Sequence, residues 1–222
     1  MFTLIGLLAF AISSLIQGWL RNTYSRWTRV ANSAGLSGAQ VARADVNGLN
    51  NIRIEPVRVL LNDHYDPRSK TVRLLEDNFG YANIAGMAVA AHEVGHDLQH
   101  AKAYGPLAFR TLLLPVTSIG SRFGPFIAIC GFAIGGVNSP WLPIWLLLFA
   151  AAVLFQVVTL PVEVDASRRA ILELERLGLA TGNDINAWIR VLSTAAMTHV
   201  AAAATSIAYF LYYAWFILGR RK

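Results

Sequence analysis

Between Arg122 and Glu163 the chain runs for forty residues without a formal charge. As one helix this stretch would measure about 60 Å, twice a hydrocarbon core of about 30 Å, so it must fold back on itself. Gly135, Gly136, Asn138, Ser139 and Pro140 supply the turn chemistry for the reversal. The expectation is a helical hairpin with arms at Thr111–Ile134 and Trp141–Leu160. Its first arm carries Arg122 beside Gly124 and Pro125, which either shortens that helix or turns the guanidinium toward a polar interior.

Two further runs have the same character. Thr3–Leu20 offers eighteen uncharged positions, just enough for one crossing. A cleaved signal peptide is the rival reading, but no basic residue precedes the run and no small-x-small site follows it. Val191–Gly219 is uncharged and ends in Arg220, Arg221 and Lys222, with Tyr209, Tyr212, Tyr213 and Trp215 placed to anchor at headgroup level. Four transmembrane helices follow. Composition agrees: 55% of residues are hydrophobic and 14% charged, against about 25% charged in a soluble domain. The net charge of +6 comes from basic residues flanking apolar runs. That favours anionic lipid headgroups and argues against nucleic acid. Cys130 stands alone in an apolar stretch, so there is no disulfide framework and no cysteine zinc site.

The polar stretches Arg21–Arg110 and Pro161–Arg190 are separated by an even number of crossings, so both lie on one face of the membrane and can build one site. They hold fifteen of the nineteen basic residues, which the positive-inside rule assigns to the cytosol of a cell (plasma or inner) membrane. The basic C-terminus would then fall outside, against the rule. The expected organisation is a first span at 1–20, a catalytic segment at 21–110, the hairpin at 111–160, a returning segment at 161–190, and a last span with its basic tail at 191–222.

Within the polar part, Ser37 can cap a short helix through Ala44, with Asn47-Gly48 as its stop. Ile52, Ile54, Val57, Val59 and Leu61 alternate with polar residues around Pro56, as in two short strands or one broken edge strand. Thr71–Leu75 reads as a returning strand after a turn over Asn62–Lys70. From Asn83 to Lys102 the pattern is helical, with small residues on one side and Gly105-Pro106 as the expected stop.

That helix carries the chemistry. His92 and His96 are four residues apart, which places both imidazoles on one helix face, close enough to bind one ion. Glu93 is rotated by about 100° and can reach a water without being a ligand. Zinc so bound acidifies that water, and the carboxylate takes its proton as it attacks a peptide carbonyl. The motif would arise by chance in roughly three of a thousand chains of this composition, so coincidence is a poor explanation. Catalytic zinc needs a third protein ligand, and Glu163 and Asp165 are the acids that return from the hairpin. On a helix they point about 200° apart, so only one can bind. Glu163 is taken as the ligand, with Asp165 orienting a bound histidine or pairing with Arg168 or Arg169, and Asp165 as ligand is the alternative. His100 is expected to face solvent or cap the helix. His199 could donate to a tetrahedral intermediate or rest as a satisfied histidine in the bundle. The turn containing His64 is either an Asx-type turn or the rim of a site whose adjoining strand pairs a substrate backbone.

Four blocks resemble a known family in order along nearly the whole chain: Leu61–Pro67, Val89–His96 with Gln99, Leu160–Ser167 with Arg169-Ala170, and Ala195–Ala202. They are similar to the YugP-type membrane zinc metallopeptidases of bacteria and, more distantly, to the HtpX-type and CAAX prenyl proteases. The resemblance implies one zinc on His92 and His96, Glu93 as catalytic acid/base and Glu163 as third ligand. Asp97 and His100 stand where less polar residues are expected and His199 where a Tyr is, which weakens an oxyanion role for His199.

The resulting expectation is a mainly α integral membrane protein of about four spans with a small α+β zincin-like catalytic domain. Its function would be gluzincin-like zinc-dependent endoproteolysis of membrane or membrane-proximal proteins. Its partners would be a protein or peptide substrate and the lipid bilayer, with membrane-protein partners or a homo-oligomer left open. The alternative is a catalytically silent, zinc-stabilised scaffold that binds partner proteins, against which the general base Glu93 argues. A transporter is disfavoured because the ligands lie outside the spans.

Overall fold

The computed structural model describes residues 2–46, 52–58, 63–179 and 182–219. The chain divides into two units. One comprises residues up to Ser14, Gly105–Pro161 and those from His199 onward; the other comprises Leu15–Tyr104 and Val162–Thr198. Three helices run from one unit into the other along the chain: α1 (Phe2–Trp27), α6 (Trp141–Arg176) and α7 (Gly182–Leu218).

The first unit holds the expected hairpin. α5 (Gly105–Gly135) reverses into α6 through a single 3-10 turn at Gly136–Asn138, where Gly136 takes the left-handed φ of 54° that glycine tolerates. Ser139 N–H closes the turn on the Gly136 carbonyl at 3.3 Å. Inside the unit, Trp145 packs on Tyr213 with ring centroids 4.9 Å apart, and Phe149 on Phe210 at 6.0 Å. Outside it, Leu112, Ile119, Phe126, Ile129 and Leu147 are exposed. Helices apolar on their outer surface suit hydrocarbon rather than water. Among the described residues three helices are long and apolar enough to cross a membrane: Gly105–Asn138, Trp141–Arg176 and Asn183–Leu218. The remaining expected span, Thr3–Leu20, falls on α1. Neither reading of Arg122 holds, since α5 continues unbroken past Gly124 and Pro125 and the Arg122 side chain is exposed.

The second unit is built around α4 (Ile84–Ala101). Asn83 caps it, its side-chain oxygen accepting from Gly86 N–H at 2.6 Å, which satisfies one of the donors that a helix start leaves free. Lys102 and Ala103, the latter at φ 49°, stop it, and Tyr104 N–H returns to the Gln99 carbonyl at 2.9 Å. Gly105-Pro106 is therefore not the stop but the start of α5, where a proline lacks only a donor that has no helical partner. α2 (Gly38–Val46) begins with a reciprocal capping box. Ser37 N–H donates to the Gln40 side chain at 2.8 Å, and Gln40 N–H to the Ser37 hydroxyl at 3.4 Å. It outlasts Ala44 by two residues, and the expected stop at Asn47-Gly48 lies outside the described residues.

A three-stranded sheet covers one side of α4. β1 (Arg53–Val57) pairs parallel to β3 (Thr71–Leu75), and β2 (His64–Asp66) pairs antiparallel on the other side of β3. Pro56 sits on the edge strand β1, where its missing N–H costs no ladder bond. His64–Asp66 forms a strand rather than part of the turn, which tightens to Pro67–Lys70, with Lys70 at φ 47°. Val59, Leu61 and Asn62 lie outside the described residues. A short helix, α3 (Glu76–Gly80), leads from β3 toward α4.

α4 is buried on both sides. Ala90, Val94 and Leu98 meet Val72 and Leu74 of the sheet, while Ile84, Met87, Ala88 and Ala91 meet Ala170 and Leu174 of α6 and Trp188 and Val191 of α7. Full burial of each large side chain here is worth about 1.5–3 kcal/mol. α7 starts nine residues before the expected run at Val191. Asp184 in its first turn accepts from Ser33 N–H at 2.9 Å and from the Ser33 hydroxyl at 2.5 Å.

Candidate metal centre

α4 and α6 meet along small residues, Ala88, Ala91 and Gly95 on one and Ala166 and Ala170 on the other. The small side chains let the two backbones approach, and polar side chains gather at the end of the seam. His92 and His96 project from α4 and Glu163 from α6. One ligand atom from each lies within 4.8 Å of the others. Glu163 Oε2 is 3.3 Å from His92 Nε2 and 3.6 Å from His96 Nε2. The imidazoles stand edge to face, 4.7 Å between centroids and 81° between planes.

The donor set fits zinc. Tetrahedral ligands about 2.1 Å from zinc lie about 3.4 Å from one another, close to the 3.3 and 3.6 Å that separate Glu163 from the two histidines. Two imidazole nitrogens and one carboxylate oxygen are borderline donors of the kind zinc takes, and three ligands leave a fourth position for chemistry. The second nitrogen of each imidazole is also engaged, His92 Nδ1 with Ser167 Oγ at 3.2 Å and His96 Nδ1 with Gln99 Oε1 at 3.1 Å. Burial alone would lower the basicity of His96, but its hydrogen bond to Glu163 and the charges of Glu93 and Glu163 outweigh that and raise it. Glu93, next to His92, is buried at 7% exposure without belonging to the ligand trio.

Asp165 is turned away from the trio. It accepts from Gln99 Nε2 at 2.9 Å and from Arg169 Nε at 2.6 Å. His100 is exposed and its Nδ1 contacts the Tyr65 hydroxyl at 3.1 Å. Tyr65 also bonds Asp97, and burial followed by that bond pushes its hydroxyl pKa up. His64 lies on β2 with Nε2 3.4 Å from Arg73 NH1, and is not one of the trio. His199 lies on α7 in the first unit. The turn after β2 is held by its own side chains, Asp66 accepting from Arg68 N–H at 3.0 Å and from the Ser69 hydroxyl at 2.7 Å.

Two participants were not assigned from the residue pattern. Ser167 is four residues beyond Glu163 and Gln99 three beyond His96, so helical spacing alone puts each beside a candidate ligand.

A family model described as "Putative neutral zinc metallopeptidase" matches residues 2–218. The chain belongs to this family. A relative from Bacillus subtilis (strain 168), named "Putative membrane protease YugP", is 40% identical over 209 residues, 93% of this chain and 92% of its own length. No solved structure matches the chain. Among the described residues, His92, His96 and Glu163 form a group that could hold a metal ion.

Proposed function

We propose that the chain is a membrane-embedded zinc endopeptidase that cuts membrane or membrane-proximal proteins. The convergence of His92, His96 and Glu163 with Glu93 buried beside them carries this reading. A zinc ion held by the trio supplies a Lewis acid that polarises the scissile carbonyl and acidifies water. Glu93 takes the proton of the attacking water and returns it to the leaving amine nitrogen. Its burial keeps that proton from bulk solvent. Ser167 and Gln99 hold the two imidazoles from behind, and Asp165 belongs to this supporting layer rather than to the ligands.

The unit around α4, a mixed sheet against a helix bearing two histidines, serves as a zincin-like catalytic unit. α1 is a fourth crossing, supported by the exposed Leu7, Leu8, Phe10, Ile12 and Leu15 along it and by Gly6 packing near the Tyr209 hydroxyl. The excess of basic residues in the polar stretches puts the site on the cytoplasmic side.

The test is metal content and casein cleavage on the detergent-purified protein, with Glu93→Gln and Glu163→Ala alongside. One zinc per chain in wild type and Glu93→Gln, little in Glu163→Ala, and cleavage by wild type alone is the expected pattern. Absence of zinc from the wild type overturns the proposal.

A further inference from the structure

The polar contacts behind His96 form a chain in which each link dictates the next. Arg169 has only donors, and its Nε meets Asp165 Oδ2 at 2.6 Å. That oxygen also meets Gln99 Nε2 at 2.9 Å, and Nε2 in turn meets the Val162 carbonyl at 2.8 Å. A salt-bridged carboxylate and a carbonyl can only accept, so the side of the Gln99 amide facing them must be its NH2 group. Its oxygen is thereby turned toward His96 Nδ1, 3.1 Å away. An amide oxygen can only accept, so Nδ1 must carry a proton, and in the neutral imidazole that binds a metal the lone pair is then on Nε2. Nε2 is the atom that faces Glu163.

Gln99 is fully buried, so no water competes for these bonds. Its two acceptors, Val162 and Asp165, flank Glu163 on α6. One side chain therefore sets the tautomer of a ligand on α4 and ties α4 to the segment of α6 that presents the third ligand. His92 is held differently. Its Nδ1 meets the Ser167 hydroxyl, which can donate or accept and imposes no tautomer.

We infer that Gln99, locked by Asp165, Arg169 and the Val162 carbonyl, is a positioning residue that prepares His96 Nε2 as a metal ligand and holds it in register with Glu163. This rests on the metal reading above. Removing such a partner lowers metal affinity by about 10–100-fold.

The experiment is zinc competition against a chromophoric chelator, together with the visible spectrum of the cobalt-substituted protein, on the full chain in detergent. Gln99→Leu and Gln99→Met bind zinc about 10–100-fold more weakly and shift the cobalt bands, because His96 is free to rotate or change tautomer. Asp165→Leu weakens zinc more than Asp165→Asn, since asparagine keeps an acceptor oxygen for Gln99. A purely structural Gln99 would lower the melting temperature of the metal-free protein yet leave affinity and cobalt bands unchanged, and that result overturns the inference. If both Gln99 variants fail to fold, equal zinc affinity in Asp165→Leu and Asp165→Asn overturns it instead. A wild type that binds no zinc defeats the metal reading itself, which separates the two failures.

Discussion

Gly95 on α4 lies directly against the backbone of Ala166 on α6: a Cβ at position 95 would stand 2.5 Å from the Ala166 carbonyl oxygen. A backbone carbonyl in mid-helix cannot step aside, so any side chain at 95 must push the two helices apart. His96 is the next residue, and Glu163 lies one turn before Ala166. The close approach is thus what brings two candidate ligands on one helix to a third on another. Gly95→Ala is expected to destabilise the fold by about 1–3 kcal/mol and to weaken zinc binding at least as much as loss of Gln99. Thermal melts with and without chelator, beside a zinc titration, check it. A variant that melts and binds like wild type would mean the seam is looser than its geometry.

On the proposed reading, an ion gripped from both helices would also hold the fold together. At a free zinc concentration of 100 times its dissociation constant, the linkage contributes about 2.7 kcal/mol. Chelation should therefore lower the melting temperature of wild type and of Glu93→Gln equally. Glu163→Ala should melt at one temperature with or without chelator, because a ligand is gone. A chelator-sensitive melt in Glu163→Ala would move the metal elsewhere.

The parts of this molecule legible from sequence were those whose cause is local. The start of the motif helix near Asn83, the cap at Ser37, the reversal at Gly136–Ser139 and the shared face of His92 and His96 each depend on residues within one or two turns. The opposed directions of Glu163 and Asp165 have a local cause too, since they need only that the segment be helical. What escaped depends on distant partners. A three-residue strand at His64–Asp66 has no periodicity to read and exists because β3 offers it a ladder. α6 passes through Pro161 although proline ordinarily ends a helix. The first turns of α7 look too polar for a buried helix until Ser33 meets Asp184. Gln99 was visible as a residue but not as a device, because its acceptors lie more than sixty positions away on α6.

Asn83 offers a test of how the motif helix begins. Its side chain caps Gly86 N–H while its own carbonyl accepts from Asn32 Nδ2 at 3.2 Å. Asn83→Ala removes only the cap and should cost about 1 kcal/mol. The histidines lie two turns further on, so zinc affinity should stay within about 2-fold, well short of the loss from removing a partner of a ligand. A large fall in zinc affinity would show that the helix start and the metal site are coupled more tightly than a cap explains.

The turn after β2 provides a pH-dependent prediction independent of the metal. Asp66 is held down to about 2 by the hydroxyl of Ser69, the N–H of Arg68 and the Arg73 guanidinium. A depressed acid binds fewer protons in the folded than in the unfolded state, so its contribution is complete above about pH 4 and is lost as pH falls toward 2. The group is partly open to solvent, which screens the interaction and keeps the contribution below about 1 kcal/mol. The effect is therefore local, an opening of the β2–β3 turn rather than unfolding. Asp66→Asn should raise amide exchange across His64–Thr71 at neutral pH while leaving α4 protected, and the variant's turn should be insensitive to pH between 2 and 5. Wild type should approach the variant only below about pH 3, once intrinsic exchange rates are normalised. Equal protection in the two proteins at neutral pH would show that strand pairing with Thr71 and Val72, rather than the carboxylate, holds the turn closed.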